Sequence, residues 1–238
     1  MTRRRAALTA ACAVIAAASL GLAVQAARSA HVQAARGPSA AELDQAERTA
    51  VAQRWERLPL GQVFPAAVGY ATAAGAPGTA TRLGIGAGDD CMGALDGPLQ
   101  ATAASLGCQG GLRATYADEP GGTVYTVGVL AFPDDTAAGQ FAAVLPPPSY
   151  PATVLNALPL PGTAAARFGD PGRQFLVRRV AGPYVILAVS GYADGRPARP
   201  EAQPGPGAFA AAAPIAAAVA APLSRPGAVD CADPEFQC

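Results

Sequence analysis

The chain predicts an α+β fold: an antiparallel sheet of four or five strands with helices mainly on one face, preceded by an N-terminal transmembrane helix. Three observations carry that expectation. The β-rich runs Leu112–Asp118 and Thr123–Phe132 flank Glu119-Pro120-Gly121-Gly122, and the runs Arg173–Ala181 and Tyr184–Ala193 flank Gly182-Pro183. Gly and Pro between such runs signal hairpins. An Ala-rich helical stretch follows each pair. Finally, the uncharged run Ala6–Ala27 sits behind Arg3-Arg4-Arg5, and as a helix it would extend about 33 Å, against a hydrocarbon core of about 30 Å.

Taken from the N-terminus, residues 1–5 form a cytoplasmic tip and residues 6–27 a signal anchor or a signal peptide cleaved after Ala26, where Val24-Gln25-Ala26 resembles a cleavage site. The apolar run is longer than an ordinary signal-peptide core, which favours the anchor. Three arginines on its amino side send everything after Arg28 out of the cytoplasm. Thr9-Ala10-Ala11-Cys12 lacks the large aliphatic residue that a lipidated cysteine needs three places earlier, so a lipoprotein is set aside.

Residues 28–58 read as a stalk and a helix. Ser39 and Glu42 form a capping-box pattern, and Leu43, Ala46, Ala50, Val51, Trp55 and Leu58 make a loose apolar stripe. That stripe is too short and broken for a coiled coil, so the helix is expected to pack on the domain. Residues 59–224 form the extracytoplasmic α+β domain, with strands near Val63–Tyr70 and Thr81–Ile85 before the two hairpins. Asp134-Asp135 caps a helix running to about Leu145, and Pro146-Pro147-Pro148 stops it. From Thr81 to Val180 the order βαββαβ is compatible with a ferredoxin-like arrangement. The alternative is a repeated ββα unit, since Gly122-Thr123-Val124-Tyr125 and Gly182-Pro183-Tyr184-Val185 open the second strand of each hairpin alike. The uncharged stretch 202–224 is broken by Pro206, Pro214 and Pro222, and Ile215, Val219 and Leu223 recur at i, i+4. A helix with one buried face suits it better than a second span.

Residues 225–238 are a cysteine-containing tail. Cys91, Cys108, Cys231 and Cys238 all lie on the exported side, where an even count reads as two disulfides. Local pairing, 91–108 and 231–238, comes first among three connectivities. Were 92–107 one straight helix its ends would be about 24 Å apart, too far for a bridge, so the pairing requires a break near Gly97-Pro98. A zinc site is disfavoured by the absence of a C-x-x-C or a nearby histidine.

Composition excludes much chemistry. All 17 basic residues are arginine, which removes Schiff-base and P-loop lysines. The one histidine, His31, lies on the stalk, away from any core that could hold a Ser-His-acid triad. Outside the leader the chain is slightly acidic and has no basic face with interleaved aromatics, so no nucleic acid is expected as a partner. Gly84-Ile85-Gly86-Ala87-Gly88-Asp89 misses a dinucleotide fingerprint, because Asp89 stands where the third glycine belongs and suits a helix cap better. No catalytic, cofactor or metal residues are therefore assigned. Asp118, Glu119, Asp170 and Asp194 near strand ends keep open a secreted, carboxylate-dependent hydrolase.

Alternation leaves a second sheet face carrying Arg113, Thr115, Thr126, Leu176 and Arg178. Either residues 60–78 or the N-terminal helix cover it, or Arg113, Thr115 and Arg178 form a surface for an anionic ligand or an envelope protein. The run Arg113-Ala114-Thr115-Tyr116-Ala117-Asp118 and the helix start Phe132-Pro133-Asp134 resemble segments of membrane-anchored or secreted proteins of high-GC Gram-positive bacteria, uncharacterised in function, over about residues 50–195. The layout is more distantly similar to extracytoplasmic sensor domains of bacterial Ser/Thr kinases. With the leader and the missing catalytic residues, the expectation is a non-enzymatic, membrane-tethered binding or accessory domain at the cell envelope, the alternatives being the secreted hydrolase or a purely structural subunit of an envelope complex. It implies no cofactor.

Overall fold

A computed structural model describes residues 19–29, 31, 38–86, 90–146, 153–199, 204–205 and 207–225. Two compact units divide the chain between Asp44 and Gln45, and residues 45–230 carry the sheet. Of the expected anchor, residues 6–18 lie outside the described residues, and 19–29 are helical. Among the described residues no helix is long and apolar enough to cross a membrane.

Helix α1, Ala40–Ala52, starts at the capping box seen in the sequence. The Ser39 amide donates to Glu42 Oε2 at 2.7 Å, and the Glu42 amide donates back to Ser39 Oγ at 3.4 Å. Two short helices follow, α2 at Arg54–Arg57 and α3 at Leu60–Val63. The sheet begins with β1, Ala67–Ala71, and β2, Pro77–Ile85. Helices α4, Cys91–Ala94, and α5, Gly97–Ser105, come next. Strands β3, Gly110–Asp118, and β4, Thr123–Ala131, form the first predicted hairpin, and helix α6, Asp135–Val144, follows it. Strands β5, Phe175–Ala181, and β6, Tyr184–Tyr192, form the second, and helix α7, Ala212–Leu223, closes the fold.

The sheet has six strands in the order β1-β2-β3-β4-β6-β5, not four or five. Every neighbouring pair is antiparallel. The first strand is β1, within and just beyond the expected Val63–Tyr70, and it turns back on β2 through residues 72–76. Because β4 pairs with β3 and, from Ala131↔Tyr184 to Thr123↔Tyr192, with β6, while β2 lies beyond β3 instead of beside β4, the order does not match a ferredoxin-like sheet. The chain instead runs through three successive ββα passes.

Helices cover both faces, which corrects the expectation of one. On the first face α7 packs Ile215, Ala216, Val219 and Leu223 against Tyr125, Val127, Val129, Ile186 and Ala188. Val51, Trp55 and Leu58 join this core, so the N-terminal helices pack on the domain. On the second face α5 and α6 bring Ala103, Ala138 and Phe141 against Leu130, Phe132, Val185 and Leu187. Consecutive ββα passes thus send α6 and α7 to opposite faces. Both central strands are buried on both sides as a result, and β6, with the run Tyr184-Val185-Ile186-Leu187-Ala188-Val189, reads as continuous apolar sequence for that reason.

Candidate functional site

The residues proposed as a ligand surface are on the second face, and the chain itself covers it. The cover is neither residues 60–78 nor the N-terminal helix. It is the stretch 153–168, a strap of irregular chain with one bridge, Leu155 to Leu95, and turns over 161–167. Such a segment has backbone groups that no helix or ladder satisfies, so side chains below it must pair with them. Arg113, 8% exposed, donates to the carbonyls of Asn156 at 2.9 Å and Ala157 at 3.4 Å. Thr115, fully buried, donates to the Leu158 carbonyl at 2.7 Å, and the Leu158 amide donates to Thr126 Oγ1 at 3.0 Å. Two glycines let the strap approach: a Cβ at Gly128 would collide with Leu155, and one at Gly84 with Leu160.

Arg178 does something different. It donates to the carbonyls of Ala142 at 3.2 Å and Leu145 at 3.1 Å, capping the C-terminal end of α6. The three residues therefore do not combine into one open surface. Arg113 and Thr115 hold the strap, and Arg178 holds a helix end.

Beside them is a buried cation that sequence reasoning missed. Arg173, 6% exposed, pairs with Asp96 at 2.8 Å and donates to the Leu155 carbonyl at 2.7 Å. Its guanidinium also lies 3.5 Å from Asp170. Asp170 in turn accepts from the Ala157 amide at 2.7 Å. Its place at the start of the expected run Arg173–Ala181 gave no signal, because Asp96 is 77 residues distant.

The other candidate carboxylates are engaged locally. Asp118 accepts from the Thr123 amide at 2.9 Å, closing the first hairpin. Asp194 pairs with Arg196 at 2.8 Å, and that guanidinium lowers the Asp194 carboxyl from its ordinary value. Glu119 is exposed at the hairpin turn. Asp134 caps α6 by accepting from the Ala137 amide at 2.8 Å, and Asp90 caps α4 by accepting from Gly93 at 2.6 Å. Asp89 lies outside the described residues. Among the described residues, no group of three or more His, Cys, Asp and Glu side chains could hold a metal ion.

Cys91 and Cys108 form a disulfide with a Cα separation of 6.3 Å. The break that this pairing requires falls at Leu95 and Asp96, just before Gly97-Pro98, where α4 ends and α5 begins. Cys231 and Cys238 lie outside the described residues.

Three tyrosines are buried on the first face, and two of them tie it to the N-terminal segment. Tyr116 donates to the Pro65 carbonyl at 2.9 Å, Tyr184 donates to that of Val51, and Tyr125 bonds Thr123 Oγ1 at 2.9 Å. Burial raises all three hydroxyls, Tyr125 and Tyr184 to about 12.

An open cleft lies at the β5 edge of the first face. A cavity of about 300 Å³ is lined by Phe175, Val177, Pro204, Phe209, Ala210 and Ala213 among others. Phe209 stacks on Phe175 at 6.2 Å and tilts against Tyr192 at 5.4 Å. Arg196 lies 4.2 Å over the Tyr192 ring. By alternation Ser190, paired with Phe175, lies on this same face, and its fully buried Oγ has no partner among the described residues. The cleft was half legible: Phe175 and Val177 alternate with Leu176 in the sequence, but nothing local announced that Phe209 would meet them. A second, polar cleft of about 380 Å³ lies between α1 and the start of α6, lined by Arg48, Thr49, Asp134 and Asp135 among others. Comparison with protein-family models, curated proteins and solved structures found no match.

Proposed function

We propose that this chain is a non-enzymatic extracytoplasmic domain, tethered to the membrane through residues 6–27, that binds or organises a component of the cell envelope. The observation that carries the reading is the Cys91–Cys108 bridge behind an arginine-led apolar segment. Structural disulfides persist in oxidising compartments, and the leader supplies the route to one. Binding is favoured over carboxylate-dependent hydrolysis because Asp118, Asp170 and Asp194 each hold a local turn, the strap or a neighbouring arginine.

Thiol labelling of native cells tests the location. Cys91 and Cys108 should react with maleimide only after reduction, and protease added outside the membrane should digest the domain. Free reaction of both thiols without reductant, in a protein shielded from the protease, overturns the reading.

A further inference from the structure

The apolar cleft described above has a cation beside it, just outside its lining. On β5, Phe175 and Val177 face it, and Arg179 follows on the same side, about 7 Å beyond Val177 at strand spacing. The assignment of Arg179 to this face is fixed from both sides, since Val177 and Ala181 both pack into the first-face core. Arg178, on the opposite face, is committed to α6. Arg179 is exposed and has no ion-pair or hydrogen-bond partner among the described residues. The strand that carries it, the neighbouring strand and the helix over them, β5, β6 and α7, contain no carboxylate; the acids nearest in the fold are those of the N-terminal helices, Glu56 among them. Phe175 remains 38% exposed, although its ring is part of the cleft wall. A volume of about 300 Å³ is at the small end of the range for ligand pockets.

We infer that this cleft binds a single-chain anionic amphiphile, with its acyl chain between Phe175, Val177, Phe209 and Ala213 and its carboxylate on Arg179. The inference rests on the binding reading above and names the ligand class. An apolar slot explains the chain, and one unopposed guanidinium beyond it explains the sign of the head. Two-chain lipids do not fit a cavity of this size, and a cationic head would face Arg179.

Photolabelling of the full chain in its native membrane tests this, with a dodecanoate analogue bearing a diazirine near the chain end. The label should map to 173–181 or 207–216. Dodecanoate should compete, and dodecyltrimethylammonium should not. Arg179→Glu should cut labelling about tenfold, the scale of one charge-assisted hydrogen bond, and Ala213→Trp, at an exposed helix position, should block the chain. Oxidised Cys91–Cys108 in each variant reports that the fold is kept. Competition by both head groups alike in the native protein overturns the inference whatever the variants do, as does labelling unchanged in both folded variants. Failure here leaves the thiol-labelling result untouched, so the ligand class and the location are judged separately.

Discussion

The two faces of the sheet are closed by different physics. The first is closed by a helix: α7 lays Ile215, Val219 and Leu223 into the apolar floor of β4 and β6, and tyrosine hydroxyls fasten the N-terminal segment at the margin. The second is closed partly by a strap whose backbone is only partly paired with backbone, and over residues 155–158 Arg113, Thr115, Thr126, Asp170 and Arg173 bond the remaining groups. A helix brings its hydrogen bonds with it and asks its neighbours only for apolar surface. A strap brings unpaired amides and carbonyls and therefore needs buried polar side chains. Polar residues on a strand's inner face can accordingly mean a covering loop rather than a ligand site.

Removing the strap's central cation should be the most damaging change. Arg173→Met leaves the half-buried Asp96 and the Leu155 carbonyl without their partner, and each hydrogen bond lost to a charged group costs about 1.5–3 kcal/mol. Urea titration should show it as a lowered midpoint. A midpoint unchanged from the parent would mean that the strap is not held electrostatically.

Reducing Cys91–Cys108, which closes a loop with a sequence separation of 17 on that same face, should lower stability by about 3 kcal/mol. Thermal unfolding with and without reductant measures it. The helix-covered face should be sensitive instead to high pH. Tyr125 and Tyr184 titrate near 12 when folded and near 10 when unfolded, so their burial contributes fully below about pH 10 and is lost as pH rises from there through about 12. Tyr116 acts in the same direction. Stability flat to pH 10 and falling at pH 10.5 is the expected profile, followed by tyrosinate absorbance. A fall beginning well below pH 10 would point to another group.

The smallest effect should come from Ser190→Ala. Its hydroxyl is buried without a partner among the described residues, so deleting it removes a desolvated group and loses no hydrogen bond. Equal or slightly raised stability is expected by the same urea titration. A loss above about 1 kcal/mol would show that the hydroxyl has a partner.

Much of the fold was legible because its signals are local. Gly182-Pro183 and Pro120-Gly121-Gly122 mark the two hairpins, Asp134 caps its helix, Ser39 and Glu42 start theirs, and the break at Leu95 and Asp96, just before Gly97-Pro98, lets Cys91 meet Cys108. The expected strand at Val63–Tyr70 was displaced, because Leu60–Val63 forms a helical turn first and the strand starts at Ala67. The candidate surface was less legible. Alternation correctly placed Arg113 and Thr115 on one side of β3, yet it contains no information about which distant segment crosses that side.

The sequence by itself determined the hairpins, the caps, the local disulfide and the buried character of β4 and β6, since each depends on residues close together in the chain. Tertiary structure alone decided that β6 inserts beside β4, that α6 and α7 lie on opposite faces, and that 153–168 covers Arg113. Those outcomes depend on which apolar and polar surfaces meet across long stretches of chain, and no local period or turn residue encodes such a meeting.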